Sequence, residues 1–334
     1  MSTPTVTPGV LAGRELYCVA GPGLFLTAER PHGRDALSFE VLGDHGRRLG
    51  LLDAAPAEGL VRLAPDAELR SRPAAVTAEA VRLAVRTLVK TFRDRVRAWF
   101  LAVPDGLAGT LLPLLAEEGF APDPGGGLRS ARHDFTRGSA DRADSMEGVY
   151  ADPYTVPWNF VPLETDVLGR LLPGLPAGAR VLDLGCGYGK NAWLLGSLGH
   201  RVAGSDISAS AVAGARRLLG EGAELAVADA TRLPWPDASF DAALDIGCLH
   251  CMPAGDRPAA VRELARVLAP DGVLHSRMFR PRPARWLAAQ PFHTTGFGLE
   301  TEAAAALLRT AFARVDVDST PHATYLAARE PVTP

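Results

Sequence analysis

Lysine is nearly missing from this sequence. Of 35 basic residues only Lys90 and Lys190 are lysine, and the formal net charge is −3. A chain so balanced carries no global positive field, which removes the electrostatic case for a nucleic-acid partner. The bias toward arginine, alanine, glycine and proline reads as the coding habit of a GC-rich genome rather than as a site. Cysteine is scarce too, and four in 334 residues exclude a disulfide framework. No run is long and apolar enough to cross a bilayer, so no membrane partner is expected. The opening stretch MSTPTVTPGV has no charged segment followed by an apolar one, so no secretion leader is expected either. These absences predict a cytoplasmic protein. Its 47% hydrophobic and 22% charged residues are ordinary for a globular chain, and the length suggests two domains.

The stretch that organises the rest is Val181-Leu182-Asp183-Leu184-Gly185-Cys186-Gly187-Tyr188-Gly189. It reads as a buried strand entering a glycine-rich turn, with a helix expected over Asn191–Leu198. Glycines let the backbone turn sharply and approach a ligand where a Cβ would clash, and the following helix start offers N–H groups. A dinucleotide fingerprint, G-x-G-x-x-G, fails from Gly185 because Lys190 takes the third place. From Gly187 that place is Ala192, which only the looser form of the pattern admits. A P-loop fails as well, with Leu184 at its first glycine and Asn191 at its Ser/Thr. What remains is D-x-G-x-G-x-G.

That pattern resembles motif I of the class I S-adenosylmethionine-dependent methyltransferases. Other marks of the family follow in order. Arg201–Asp206 reads as a second strand ending in a carboxylate, where an acidic side chain can accept from both ribose hydroxyls; Ser208 and Ser210 are left to cap the next helix. Glu224–Ala230 is the third strand and its exit, Leu233–Asp241 the approach to a fourth strand over Ala242–Ile246. A helix is expected over Asp256–Leu268, a turn at Ala269–Gly272, and a fifth strand over Val273–Phe279. A helix over Glu302–Phe312 and an antiparallel pair, Val315–Val317 with Ala323–Ala328, complete the set. The resemblance implies an α/β fold with a Rossmann-like seven-stranded sheet. It also implies a cofactor, S-adenosylmethionine, held by Asp183, Gly185, Cys186, Gly187, Asp206, Ile207, Asp229, Ala230 and Asp245, with S-adenosylhomocysteine as product.

The loop after the fourth strand, Gly247–Pro253, faces the acceptor in such sheets. His250 is the candidate catalytic base, because its ordinary pKa lies near neutrality; simple packing is the other reading. Cys248 and Cys251 form a lone C-x-x-C, weak grounds for zinc, and no metal is expected. Arg277-Met278-Phe279-Arg280-Pro281-Arg282 continues to Trp286, and arginine forks suit anions. The aromatic segment Val149–Asn159 is similar to one that closes over the cofactor in thiopurine- and tellurite-type methyltransferases, which puts Trp158 on the cofactor. Tyr150, Tyr154, Cys248, Arg280 and His293 are the candidate substrate contacts.

Residues 1–140 are expected to be a separate, smaller α+β domain, and 141–334 the methyltransferase domain. Short apolar runs at Leu16–Ala20, Leu24–Thr27, Leu37–Leu42, Leu49–Leu52 and Leu60–Leu63 predict antiparallel strands. A helix opening near Thr77, a strand over Val96–Val103, a helix over Leu107–Glu118 and a strand over Arg129–Phe135 follow. This order resembles the GNAT acetyltransferase fold. Arg70-Ser71-Arg72-Pro73-Ala74-Ala75 stands where that family cradles a pyrophosphate, and Pro73 has no N–H to give. The domain is therefore expected not to bind acetyl-CoA, and to shape substrate or form a homodimer instead. The whole reads as a methyltransferase for a small molecule. A peptide or protein methyltransferase, and a bifunctional acetyl- and methyltransferase, are the alternatives.

Overall fold

The computed structural model describes residues 14–31, 37–57, 60–92, 99–102, 106–122, 128–130, 145–163, 165–283 and 297–332. They divide into two compact units: 14–130 with 152–163, and 145–151 with 165–332. Among the described residues no helix is long and apolar enough to cross a membrane.

The first unit runs β1 (Arg14–Gly21), β2 (Leu24–Pro31), β3 (Leu37–Leu42), β4 (Arg48–Ala57), β5 (Leu60–Pro65), α1 (Ala67–Arg70), α2 (Ala74–Phe92), β6 (Trp99–Ala102), α3 (Ala108–Glu117), β7 (Ala121–Pro122) and β8 (Leu128–Ser130). The strands form one sheet in the order β1-β2-β3-β4-β5-β6-β8-β7. Alternation builds it: Leu37, Phe39 and Val41 of β3 are buried while Ser38 between them is exposed. Only β5 and β6 pair in parallel, Leu60–Arg62 against Phe100–Ala102, because α2 carries the chain across between them. Val81, Leu88 and Phe92 of α2 are buried with Phe39 and Leu52. Asp66 caps α1, its Oδ1 accepting from the Leu69 N–H at 2.8 Å.

One boundary differs from the sequence reading. Residues 152–163, expected with the second domain, pack in the first. The cause is a set of buried polar bonds. Asn159 is 0% exposed, and its Oδ1 accepts from the Ala20 N–H at 2.9 Å while its Nδ2 donates to the Ala20 carbonyl at 2.7 Å. The Leu163 N–H donates to the Leu16 carbonyl at 2.7 Å. The segment thus satisfies edge groups of β1 that a bare strand would leave open. Tyr154 lies against the guanidiniums of Arg82 and Arg86, 4.1 and 4.4 Å from its ring centre. Both arginines donate at 2.7 Å to the buried Glu118 carboxylate. The expected strand over Arg129–Phe135 is seen at Leu128–Ser130, and 131–135 lie outside the described residues.

The second unit contains α4 (Met146–Tyr150), α5 (Thr165–Leu171), β9 (Arg180–Leu184), α6 (Lys190–Ser197), β10 (Arg201–Asp206), α7 (Ala209–Leu219) and β11 (Ala223–Val227). It continues with β12 (Phe240–Ile246), α8 (Arg257–Val267), β13 (Leu268–Phe279), the helix Thr301–Arg309, β14 (Phe312–Ser319) and β15 (Ala323–Pro331). Its seven described strands lie in the order β11-β10-β9-β12-β13-β15-β14. β11 through β13 run parallel and β15 is antiparallel to both neighbours. This is the Rossmann-like sheet of the class I methyltransferases. Strand order reverses between β9 and β12, which opens a crevice at the carboxyl ends of those two strands. Leu182, Ala243, Leu264, Leu274 and Phe312 belong to the core beneath it. β13 begins five residues before the expected Val273 and takes in the turn, because Leu268 already pairs with Phe240 before the register slips. The last helix ends at Arg309, and β14 starts at Phe312, where a longer helix was expected.

Candidate active site

The crevice is floored by the glycine loop between β9 and α6. Gly185, Gly187 and Gly189 have φ of 68°, 53° and 79°, a region that side chains other than glycine enter at a cost. Space is closed as well. A Cβ on Gly185 would stand 2.7 Å from the Cys248 Cβ, and one on Gly187 would stand 2.6 Å from the Tyr150 Oη. Tyr150 therefore sits on the loop, held edge-on to Tyr188 at 5.0 Å, while the Tyr188 hydroxyl donates to the Tyr150 carbonyl at 2.8 Å. Glu147, one turn earlier on α4, accepts from the Ser208 hydroxyl at 2.7 Å and from the Ser210 N–H at 3.2 Å, at the start of α7. Sequence reasoning missed Glu147, since nothing in its neighbourhood distinguishes it from a solvated acidic residue. Ser208 caps α7 as expected, its Oγ accepting from the Ala211 N–H.

Three carboxylates meet behind the loop. Asp183 is 1% exposed and its Oδ2 is buried with no hydrogen-bond partner. Burial, then the charges of Asp206 and Asp245, push its pKa up to about 7, against the Ala192 N–H and the Asn191 side chain, which favour the charged form. Asp206 ends β10. Its Oδ2 accepts from the Gly187 N–H and its Oδ1 from the Ser208 N–H, both at 2.9 Å. Burial raises its pKa and these amides oppose the rise. A carboxylate has about four lone-pair sites, so acceptor capacity remains on both oxygens for ribose hydroxyls. Ile207 beside it is 61% exposed, an apolar face suited to a flat base. Asp229 and Ala230 follow β11 on the same sheet edge, with Asp229 Oδ1 accepting from the Thr231 N–H and hydroxyl at 2.8 Å. The glycine cradle, the orphaned Asp183 oxygen, Asp206 and exposed Ile207 fit S-adenosylmethionine.

Asp245, another expected cofactor contact, is held by the protein itself. It is 0% exposed, and its Oδ1 accepts from the N–H groups of Cys248 and Leu249 at 3.0 and 3.1 Å. Its Oδ2 accepts from the Ser276 hydroxyl at 2.5 Å. Through these bonds Asp245 anchors the loop after β12. Burial raises the pKa of Cys186, Cys248 and Cys251, with carboxylate neighbours adding to the rise, so these thiols stay protonated near neutrality.

His250 lies in the 3-10 turn Leu249–Cys251 and is 1% exposed. Its ring meets Phe279 and Phe297 edge-on, each at 5.0 Å between centres. Its Nδ1 is buried without a hydrogen-bond partner. Burial and the charges of Arg277, Arg257 and Arg282 lower its pKa to about 3. A general base works best with a pKa near the working pH. His250 is neutral there but holds a proton too weakly, so its environment argues against the expected base.

The remaining candidates separate. Tyr150 and Cys248 border the glycine loop. Tyr154 and Trp158 lie in the segment that packs with the first unit. Arg280 donates to Glu300 at 2.9 Å. His293 and Trp286 lie outside the described residues.

A family model described as a methyltransferase domain matches residues 181–272. The chain is similar to Methyltransferase GfsG of Streptomyces halstedii, 45% identical over 104 residues, which are 29% of this chain and 37% of that one. It is also similar to the 27-O-demethylrifamycin SV methyltransferase of Amycolatopsis mediterranei, 39% identical over 128 residues, which are 36% of this chain and 46% of that one. The chain thus spans less than half the length of these relatives. A solved 1,6-didemethyltoxoflavin-N1-methyltransferase of Burkholderia thailandensis, with S-adenosylhomocysteine bound, is 25% identical over 50% of this chain and 77% of that one, at TM-score 0.39. The matched span runs from β9 into β13, the stretch that carries the glycine loop, Asp206 and the His250 loop, and it makes this part of the second unit a class I S-adenosylmethionine-dependent methyltransferase domain.

Proposed function

We propose that the protein transfers a methyl group from S-adenosylmethionine to a small-molecule acceptor. The observation that carries this reading is the Asp206 carboxylate fixed on the Gly187 amide, with spare acceptor capacity beside exposed Ile207. Gly185, Cys186 and Gly187 would cradle the cofactor, with Asp183 behind them, Asp206 on the ribose, and Ile207, Asp229 and Ala230 around the base. When bound, the cofactor supplies a methyl group on a sulfonium. The chain's own contribution is then alignment in a water-poor crevice. Tyr150 covers the loop, and Asp245 with Ser276 holds the acceptor-side loop in place. The rifamycin relative acts on a small molecule by its name, which supports the acceptor class. The first unit would be an accessory GNAT-like domain. Its sheet order and single parallel pair bridged by α2 support that comparison. The capped turn α1 with Pro73 after it leaves no glycine-rich pyrophosphate cradle.

Calorimetry with S-adenosylmethionine is expected to give one site per chain. Asp206→Ala should weaken binding by roughly 1.5–3 kcal/mol, the range for a charge-assisted bond. Unchanged affinity in that variant would remove the ribose assignment. A metabolite screen with labelled cofactor would then identify the acceptor.

A further inference from the structure

Helix α4 rests on the two residues that hold Asp206. The Gly187 N–H donates to Asp206 Oδ2 and the Ser208 N–H to Asp206 Oδ1, both at 2.9 Å. Tyr150, at the end of α4, meets the first of them: its Oη stands 2.6 Å from where a Gly187 Cβ would lie. Glu147, one turn earlier, meets the second and accepts from the Ser208 hydroxyl at 2.7 Å. It also accepts from the Ser210 N–H at 3.2 Å and from the Ser210 hydroxyl at 2.5 Å. α4 therefore bridges the glycine loop and the start of α7, and the Asp206 carboxylate is bonded to both of its footings.

The two ends of the helix differ in kind. The Tyr150 end is buried, with the ring edge-on to Tyr188 and the Tyr188 hydroxyl donating to the Tyr150 carbonyl at 2.8 Å. The Glu147 end is polar and exposed. The first turn of α7 holds its carboxylate with two hydroxyls, an amide and the positive end of the helix dipole. The Ser210 and Ser208 hydroxyls lower the pKa of Glu147 and keep it charged. The charge of Glu147 in turn raises the pKa of Asp206, so the two carboxylates repel each other. An exposed charged contact is worth little against water, and a five-residue helix has little stability of its own. The Glu147 end is therefore the one that releases first.

We propose that α4 is a strap across the ribose side of the cofactor crevice, that Glu147 is its latch, and that the cofactor enters and leaves when the latch is open. This rests on the assignment of Asp206 to the ribose. Glu147 is then a positioning residue, acting through Ser208, Ser210 and α4 rather than on the reacting atoms. Its bonds join protein to protein, so they add one barrier common to entry and exit. Loss of the latch should speed both steps and leave the affinity nearly as it was. A residue that touched the bound cofactor would change the affinity instead.

Surface plasmon resonance of S-adenosylhomocysteine on the full chain reads both rates. Glu147→Ala should raise the association and dissociation rate constants together by about 10-fold, with Kd changed less than about 3-fold. Glu147→Gln keeps an acceptor oxygen without the charge and should raise both rates less. Ser210→Ala removes one latch bond without touching a partner of Asp206, and should raise both rates about 3- to 5-fold. It decides the matter if Glu147→Ala fails to fold. Unchanged rates in Glu147→Ala, whatever its melting temperature, would overturn the latch. So would faster dissociation with unchanged association, which would make Glu147 a contact of the bound cofactor. Asp206→Ala separates the two readings: if it weakens affinity while the Glu147 variants keep the parent's rates, only the latch fails, whereas unchanged affinity in Asp206→Ala strikes the ribose assignment beneath it.

Discussion

Asp183→Asn is expected to make the protein more stable and its site worse. Asp183 is buried to 1% among carboxylates, and its pKa is pushed from an ordinary 3.8 to about 7. The sign follows from where protons bind. Between those two values the folded chain holds a proton on Asp183 that the unfolded chain has lost, so stability falls as pH rises through the window. Each tenfold in proton affinity is worth about 1.4 kcal/mol, which makes the cost about 4 kcal/mol above pH 7. Asparagine removes that pH-dependent cost, while the bonds from Ala192 and Asn191, now to a neutral amide oxygen, weaken and take back about 1 kcal/mol each. Without cofactor, urea unfolding at pH 5, 6, 7 and 8 should show the variant gaining on the parent by about 2–3 kcal/mol across the series. Asp206 and Asp245 are raised too, but both remain in the variant and largely cancel in the comparison. In the same variant, S-adenosylmethionine affinity should fall about 10-fold or more. A stability gap that stays constant from pH 5 to 8 would refute the reasoning.

Three further outcomes are expected. His250→Ala should lower turnover less than about 10-fold and leave the pH–rate profile unchanged, since a group with a pKa of about 3 does not titrate near neutrality; a loss of 10²–10⁴-fold would restore it as the base. Glu118→Ala leaves Arg82 and Arg86, 8% and 2% exposed, without their shared carboxylate, which should destabilise the first unit by about 3–5 kcal/mol in urea unfolding followed by circular dichroism. Acetyl-CoA should give no thermal shift in the full chain, and a shift competed by coenzyme A would show that the turn around Pro73 still binds a pyrophosphate.

The sheet of the second unit was legible because each of its parts is local. Short apolar runs, the glycine loop and the carboxylate at Asp206 are all written in consecutive residues. The five antiparallel strands that open the first unit were legible for the same reason. Segment 152–163 was not, because its place depends on Asn159 meeting the peptide of Ala20, 139 residues earlier. No periodicity marks such a bond. The anchoring role of Asp245 was hidden for a related reason. Its position near the carboxyl end of β12 suggests a ligand contact, and its bond to Ser276 of the neighbouring strand is not written locally. His250 shows the limit most clearly. Its residue type suggested a base, but the arginines that lower its pKa come from α8, β13 and the segment after it.

Site and stability pull in opposite directions here, and the geometry shows where. Asp206 and Asp245 lie close enough to raise the proton affinity of Asp183, and a chain selected only for stability would replace at least one of the three. Each is retained for a different task. Asp245 fixes the loop through two amides, and asparagine could do part of that. Asp206 fixes the glycine loop and still presents free lone pairs. Asp183 alone keeps a buried oxygen unused. An unused buried acceptor costs free energy in the ligand-free protein and returns it only when a donor arrives. The cofactor carries such donors on its amino acid end and its ribose, so the same carboxylates that weaken the empty crevice favour the filled one. Binding should therefore raise stability most at alkaline pH, where all three are most fully ionised.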